Sequence, residues 1–205
     1  SFLTKSHIIP NGIDKFWFDH INKPKEMKEN SEIKLLQVGV VTKNKNVETT
    51  IKVTELLNER GYKAKLDVVG KIKDQKVFDI IKNSKHVRYL GFKSKEDLIQ
   101  IYQENDIFIL PSVNETFGLV YAEAMSQGLP VIYTRGQGFD QQFEEGMVGY
   151  SVPHDLVEDI ADKILEITKR YNELSENCIN LVHKFDWSGI ERKYLEIYEK
   201  AQLPK

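Results

Sequence analysis

Apolar positions along this chain cluster in short runs, and between the runs they recur at helical spacing. Ile33–Val41, "IKLLQVGVV", is a near-continuous apolar, β-branched run. It is followed by Val47, Ile51, Thr54, Leu56 and Leu57 near helical spacing, with Gly61 as a stop. The alternation then repeats. "KAKLDVVG", "VRYLG", "DIFILPS", "PVIYT" and a short "GYSVP" read as strands. "KDQKVFDIIKNS", "SKEDLIQIYQEN" and "GLVYAEAMSQG" read as the helices between them. The stretch "VEDIADKILEITKRYNELSENCINLVHK" is helical with room for one break, and "DWSGIERKYLEIYEKAQ" is a final amphipathic helix. Residues 22–32, "NKPKEMKENSE", are polar and read as a surface loop. Strands alternating with helices, and apolar along most of their length, predict an α/β fold. The expected form is a doubly wound, Rossmann-like, mainly parallel sheet of about six strands with C-terminal helices. The last helix is expected to pack beside or away from the sheet.

In such a sheet, ligands sit beyond the carboxyl ends of the strands. The loops there are "GVVTKNKN", "GKIKD", "GFKSK", "PSVNETFG" and "RGQGFDQQ". Glycines and lysines at strand ends suit a phosphate-bearing ligand, but ordinary polar turns have the same composition. The fourth loop is more informative. Between Glu115 and Arg135 the chain carries one charge, Glu123. A carboxylate among apolar neighbours needs a partner. Ser112-x-x-Glu115 matches a capping box, a purely structural role. Gly118 permits close approach to the backbone, and free amides at a helix start favour an anion.

Composition narrows the classes. The chain has 205 residues, 29% of them charged, with a net charge of -2. This gives no basic footprint for nucleic acid. The single Cys178 rules out an internal disulfide and points to a reducing compartment. No apolar run approaches the roughly 20 residues of a membrane span, and no signal-peptide pattern is present. No Asp-x-Asp occurs, and the five histidines (His7, His20, His86, His154, His183) lack ligand-like spacing, so no metal is expected.

Glu115 and Glu123 with seven residues between, Phe117-Gly118 inside and "AEAMSQGLPVI" after resemble the signature of retaining glycosyltransferases with the two-domain GT-B fold. "IIPNGID" (Ile8–Asp14), "VGVVTKNKNVETTIKV", "VRYLGF", "DIFILPS" and "FDWSGIERKYLEIYEK" extend the resemblance over nearly the whole chain. It implies one donor-binding domain over 1–205, preceded in the family by an acceptor-binding domain. It implies that Lys45 contacts the donor's diphosphate, with the loop from Gly39 and Lys43 beside it. Glu115 would contact the transferred sugar, the amides of Phe117, Gly118 and Leu119 would hold phosphate and sugar, and Glu123 would bind the ribose hydroxyls. The substrate would be a nucleotide-diphosphate-sugar with no further cofactor. The acceptor would be a glycan or lipid met through the preceding domain, and the location cytoplasmic, with membrane-peripheral attachment open. Base contacts are expected from Val69–Lys71 and Leu90–Phe92. Lys45 is expected to face solvent and to add little to stability.

Two positions depart from the family pattern. Val40 stands where an Arg is usual, and Lys43 does not reproduce two-point Arg geometry. The usual Gly-Gly-x-x-Glu after the fifth strand is altered to "GQGFDQ". Two other readings stay open. One is a non-catalytic partner or chaperone subunit that kept the fold. The other is a dinucleotide-dependent oxidoreductase, which needs a Gly-x-Gly-x-x-Gly turn that does not follow the first strand.

Overall fold

A computed structural model describes residues 9–202. Ile8 and His7, which the sequence reading included, lie outside the described residues. Six strands form one sheet: β1 (Ile33–Val38), β2 (Ala64–Val69), β3 (Val87–Gly91), β4 (Ile107–Leu110), β5 (Val131–Thr134) and β6 (Gly149–Val152). Their order is β3-β2-β1-β4-β5-β6, and every pairing is parallel. The expected six-stranded α/β sheet is present, with no antiparallel strand in it.

The helices are α1 (Lys15–Asp19), α2 (Val47–Glu59), α3 (Gln75–Asn83), α4 (Lys95–Glu104), α5 (Leu119–Ser126), α6 (Val157–Lys169), α7 (Tyr171–Leu181) and α8 (Trp187–Gln202). The strands alternate between two cores, as the two-residue period of a strand requires. Ile33 and Leu35, with Ile107 and Ile109, meet α2, α3 and α6 through Ile51, Val77 and Ile164. Leu36 and Val38, with Phe108 and Leu110, meet α1, α4 and α5 through Trp17, Tyr102 and Met125. Both faces are therefore covered, which explains why these strands read as apolar along most of their length. The long C-terminal helical stretch breaks once, at Arg170. α8 buries Ile190 but leaves Trp187, Tyr194, Leu195 and Tyr198 exposed.

The polar segment 22–32 is strapped to the body. The amide of Lys25 donates to Ser175 Oγ at 2.7 Å and that of Met27 to Asn172 Oδ1 at 3.1 Å. The Lys25 ammonium donates to Gln103 O at 3.0 Å, covering carbonyls at the end of α4. Burial pulls its pKa down to about 8.

β1 and β2 end in loops packed backbone to backbone. Gly70 has φ +147°, and a Cβ there would lie 1.8 Å from Gly39 O. Gly70→Ala is therefore expected to lower unfolding free energy by about 2 kcal/mol or more. Urea denaturation measures this; a loss under about 0.5 kcal/mol, the usual size of a neutral surface change, would mean the two loops do not meet this closely.

Candidate functional site

The sheet order reverses between β1 and β4. From β1 the chain crosses to α2 on one face, and from β4 to α5 on the other. The loops leaving these strands diverge, and the crevice between them is the usual ligand position in an open α/β sheet.

Polar side chains join the two loops across that crevice. After β1 the chain makes a 3-10 turn, Lys43–Lys45, and Asn46 follows in the left-handed region with φ 51°. Asn46 Nδ2 donates to Pro111 O at 3.0 Å and to His154 O at 2.6 Å. Asn44 pairs with Asn114 in both directions, accepting at Oδ1 from the Asn114 amide (3.1 Å) and donating to Asn114 O (2.9 Å). The Val113 amide donates to Asn44 O at 2.8 Å. From the loop after β5, Gln137 accepts from the Glu115 amide at 2.5 Å and donates to Val113 O at 3.0 Å. Gly138 donates to Glu115 O at 3.1 Å, and its missing Cβ would lie 1.8 Å from Thr116 O. Only glycine lets the loop after β5 lie flat against Glu115–Phe117.

On this floor Lys45 and Glu115 meet, with Nζ 2.5 Å from Oε2. The side chains are 24% and 10% exposed, so the pair is partly shielded from water. This corrects the expectation of a solvent-facing Lys45. Ser112 Oγ donates to the same Oε2 at 3.3 Å. No hydrogen bond to Oε1 is found among the described residues. The Ser112-x-x-Glu115 capping box does not form either. The Glu115 amide goes to Gln137, and α5 starts at Gly118 (φ 72°) with no side-chain cap. The amides of Leu119 and Val120 open that helix without intrahelical acceptors. Phe117 packs edge-on to Phe185, with ring centres 6.1 Å apart.

Glu123 lies one turn further along α5, away from the Lys45–Glu115 contact. It is half-buried, and its neighbours are Trp17 of α1, Tyr102 and Lys95 of α4, and Asp14. Burial pushes its carboxyl up to about 7; Lys95 and the Trp17 and Tyr102 donors oppose the shift, and Asp14 adds to it. Lys95 is itself ion-paired with Asp14. No periodicity marks α1, whose five residues are too few; the available signal was Asp14, an N-cap whose side chain accepts from the Phe16 amide at 2.9 Å.

The remaining sequence candidates lie around the crevice. Lys43 is exposed and makes no ion pair among the described residues. The Lys45 stem runs along Gly39, and the neighbouring Val40 is 38% exposed. Lys71 sits over the ring of Phe92 at 4.7 Å, and Phe92 is 65% exposed. A cleft of about 520 Å³ opens elsewhere, at the amino ends of β1 to β3. Its one buried carboxylate, Asp67, is already held by Arg88 at 2.7 and 2.9 Å and Asn105 at 3.0 Å. Among the described residues no group of three or more His, Cys, Asp or Glu is arranged to hold a metal ion.

Comparison with known proteins adds to this geometry. A family model described as "Glycosyl transferases group 1" matches residues 19–184. The D-inositol 3-phosphate glycosyltransferase of Corynebacterium kroppenstedtii is 33% identical over 118 residues, 56% of this chain and 26% of that protein. An uncharacterized glycosyltransferase of Methanocaldococcus jannaschii is 28% identical over 214 residues, covering 96% of this chain and 54% of its own length. The chain thus spans between about a quarter and about half of these relatives. Among solved structures, sucrose-phosphate synthase from Thermosynechococcus elongatus superposes with a TM-score of 0.77 at 22% identity, over 95% of this chain and 52% of that one. Anabaena HepE in complex with UDP-glucose gives 0.71 at 20%, over 82% and 49%. At these identities the likeness is one of fold.

Breaking one half of the Lys45–Glu115 pair leaves a shielded, uncompensated charge. Lys45→Met and Glu115→Gln are each expected to destabilise the chain, and the double variant less than their sum. A coupling energy of about 1–2 kcal/mol is expected from a double-mutant cycle in urea. Simple additivity would show that the contact contributes nothing in solution.

Proposed function

The chain belongs to the group 1 glycosyl transferases, and from that premise we propose that it is the donor half of a retaining, metal-independent enzyme that binds a nucleotide-diphosphate-sugar. The observation that carries the reading is the Lys45–Glu115 contact at the reversal of the sheet, 2.5 Å long and built from the loops after β1 and β4. A cation and a carboxylate meet there at the place where this fold receives ligands.

The chemistry of sugar transfer asks for both signs of charge. When the bond from the sugar's anomeric carbon to the phosphate oxygen breaks, negative charge grows on the leaving diphosphate and positive charge on the ring. Lys45, exposed Lys43 and the opening amides of α5 after Phe117 and Gly118 are suited to the first. The Oε1 of Glu115, without a hydrogen-bond partner among the described residues, is suited to the second, or to a ring hydroxyl. Without ligand, Lys45 and Glu115 neutralise each other. A bound diphosphate draws on Lys45 and leaves Glu115 facing the sugar. Glu123, one turn further along α5, is assigned the ribose hydroxyls. The exposed Phe92 face and Lys71 offer a surface to the base. The acceptor, glycan or lipid, would enter from a preceding domain, and turnover would need that domain. A cytoplasmic location, with peripheral membrane contact in the full protein, is supported by the lone buried Cys178; among the described residues no helix is long and apolar enough to cross a membrane.

Calorimetric titration with UDP, GDP and ADP and their sugar conjugates tests the assignments. Glu123→Gln is expected to lose affinity for bare nucleotide and conjugate by a similar factor, about tenfold to hundredfold for a charge-assisted hydrogen bond. Glu115→Gln is expected to keep or raise affinity for the bare nucleotide, because Lys45 is released, while losing the increment from the sugar. Lys45→Met should weaken diphosphates but not nucleosides. If all three variants bind every ligand as the parent does, the donor-site reading is wrong.

A further inference from the structure

Two buried hydrogen-bond donors stand beside Glu123. Among the described residues, Trp17 Nε1 and Tyr102 Oη are buried side-chain atoms without a hydrogen-bond partner. The group both face is the Glu123 carboxylate. The rings are immobilised: Trp17 is 1% and Tyr102 0% exposed, and they meet edge-on with centres 5.6 Å apart. Packing alone does not account for the polar atoms. Phenylalanine at either position would fill much of the same space without burying a donor, and an unsatisfied buried donor is costly.

We propose that Trp17 and Tyr102 are positioning residues for ligand recognition: they hold the Glu123 carboxylate from behind, so that its outward lone pairs accept both hydroxyls of a vicinal diol such as a nucleotide ribose. The inference rests on the assignment of Glu123 to the ribose. A carboxylate has about four lone-pair sites on two oxygens. Donors on its inner side fix the plane of the group and leave the outer sites for the ligand. The Lys95 ammonium does not compete for them, because it is ion-paired with Asp14. α1 exists as a short capped turn whose one buried side chain is Trp17. It is held by the Ile13 amide on Phe185 O at 3.0 Å.

The arrangement has a pH signature. The titratable groups facing Glu123 are Asp14 before α1, and Lys95 and Tyr102 on α4. The ion pair holds Asp14 low and Lys95 high, and burial holds Tyr102 well up, so these groups keep their charge between about pH 5.5 and 8.5. Glu123 alone changes. The diol needs the ionised form as a double acceptor, so preference for it should grow as pH rises through about 7. Removing a donor that stabilises the ionised form should move that midpoint upward.

The test compares the best-binding of UDP, GDP and ADP with its 2′,3′-dideoxy form, by calorimetry from pH 5.5 to 8.5, on the 205-residue chain. The parent is expected to prefer the ribose form by about tenfold or more at pH 8 and to lose that preference below pH 7. Trp17→Phe and Tyr102→Phe should each cut the preference about threefold or more. Carboxyl carbon NMR without ligand should place the Glu123 midpoint higher in both variants than in the parent. Tyr102→Phe removes a single oxygen and keeps the test intact should Trp17→Phe fold poorly. A parent preference that survives unchanged in Tyr102→Phe, with an unmoved Glu123 midpoint, overturns the positioning role and leaves the ribose assignment standing. A parent without preference at any pH, or without affinity for any of the three nucleotides, overturns the ribose assignment, and the positioning role falls with it.

Discussion

The reversal of strand order between β1 and β4 is the constraint on which the rest of the site depends. Two adjacent parallel strands send their chains to opposite faces, α2 to one and α5 to the other, so no connection closes over the strand ends between them. The gap exposes backbone amides and carbonyls that a covered strand end would hide. The side chains of Asn44, Asn46 and Gln137 hydrogen-bond several of them, the amide and carbonyl of Asn114 included, in place of further sheet. The result is a cross-linked polar floor that carries the Lys45–Glu115 ion pair.

That floor also accounts for the altered loop after β5. Gln137 lies in the altered stretch, and its side-chain amide holds the backbone on both sides of Asn114. Gly138 then supplies the close approach to Thr116 that a side chain would forbid. The departure is therefore compatible with a positioned Glu115. Val40 has no comparable compensation. It is exposed at the crevice, where an Arg would give a fork of donors, and Lys43 nearby gives only a point charge.

Much of the fold was legible because its signals are local. Short runs of four to six residues, largely apolar and β-branched, marked all six strands, and Ser94 and Gly61 marked helix ends. Glu115 and Glu123 stood out by their isolation among apolar residues. What the pattern did not carry is long-range. Lys45 and Glu115 are 70 positions apart, so neither the pairing nor the shielding of Lys45 is written in a window of sequence. Ser112-x-x-Glu115 has capping-box spacing, yet the positive φ at Gly118 delays the helix and frees the carboxylate to turn to Lys45. Trp17 and Tyr102 sit on different elements, and their convergence on Glu123 follows from α1 and α4 packing on the same face as α5.

The two glutamates are held without ligand by different means. Glu115 is neutralised by an ammonium in contact with it. Glu123 has only half-satisfied donors and a cation already engaged by Asp14, so burial drives it towards protonation near neutral pH. Because its folded pKa lies above its ordinary value, the ionised form costs stability as pH rises from about 4.5 to about 7. Groups that donate to the carboxylate recover that cost, and a diol does so with two hydroxyls at once. On the proposed reading, a site that holds one carboxylate in an exchangeable ion pair and the other under-bonded gains on both when a phosphate and a ribose arrive together. An anion competes for Lys45, and two hydroxyls complete Glu123. A ligand that brings only one of the two groups makes one of these gains and forgoes the other, which on the same reading favours the whole nucleotide over its parts.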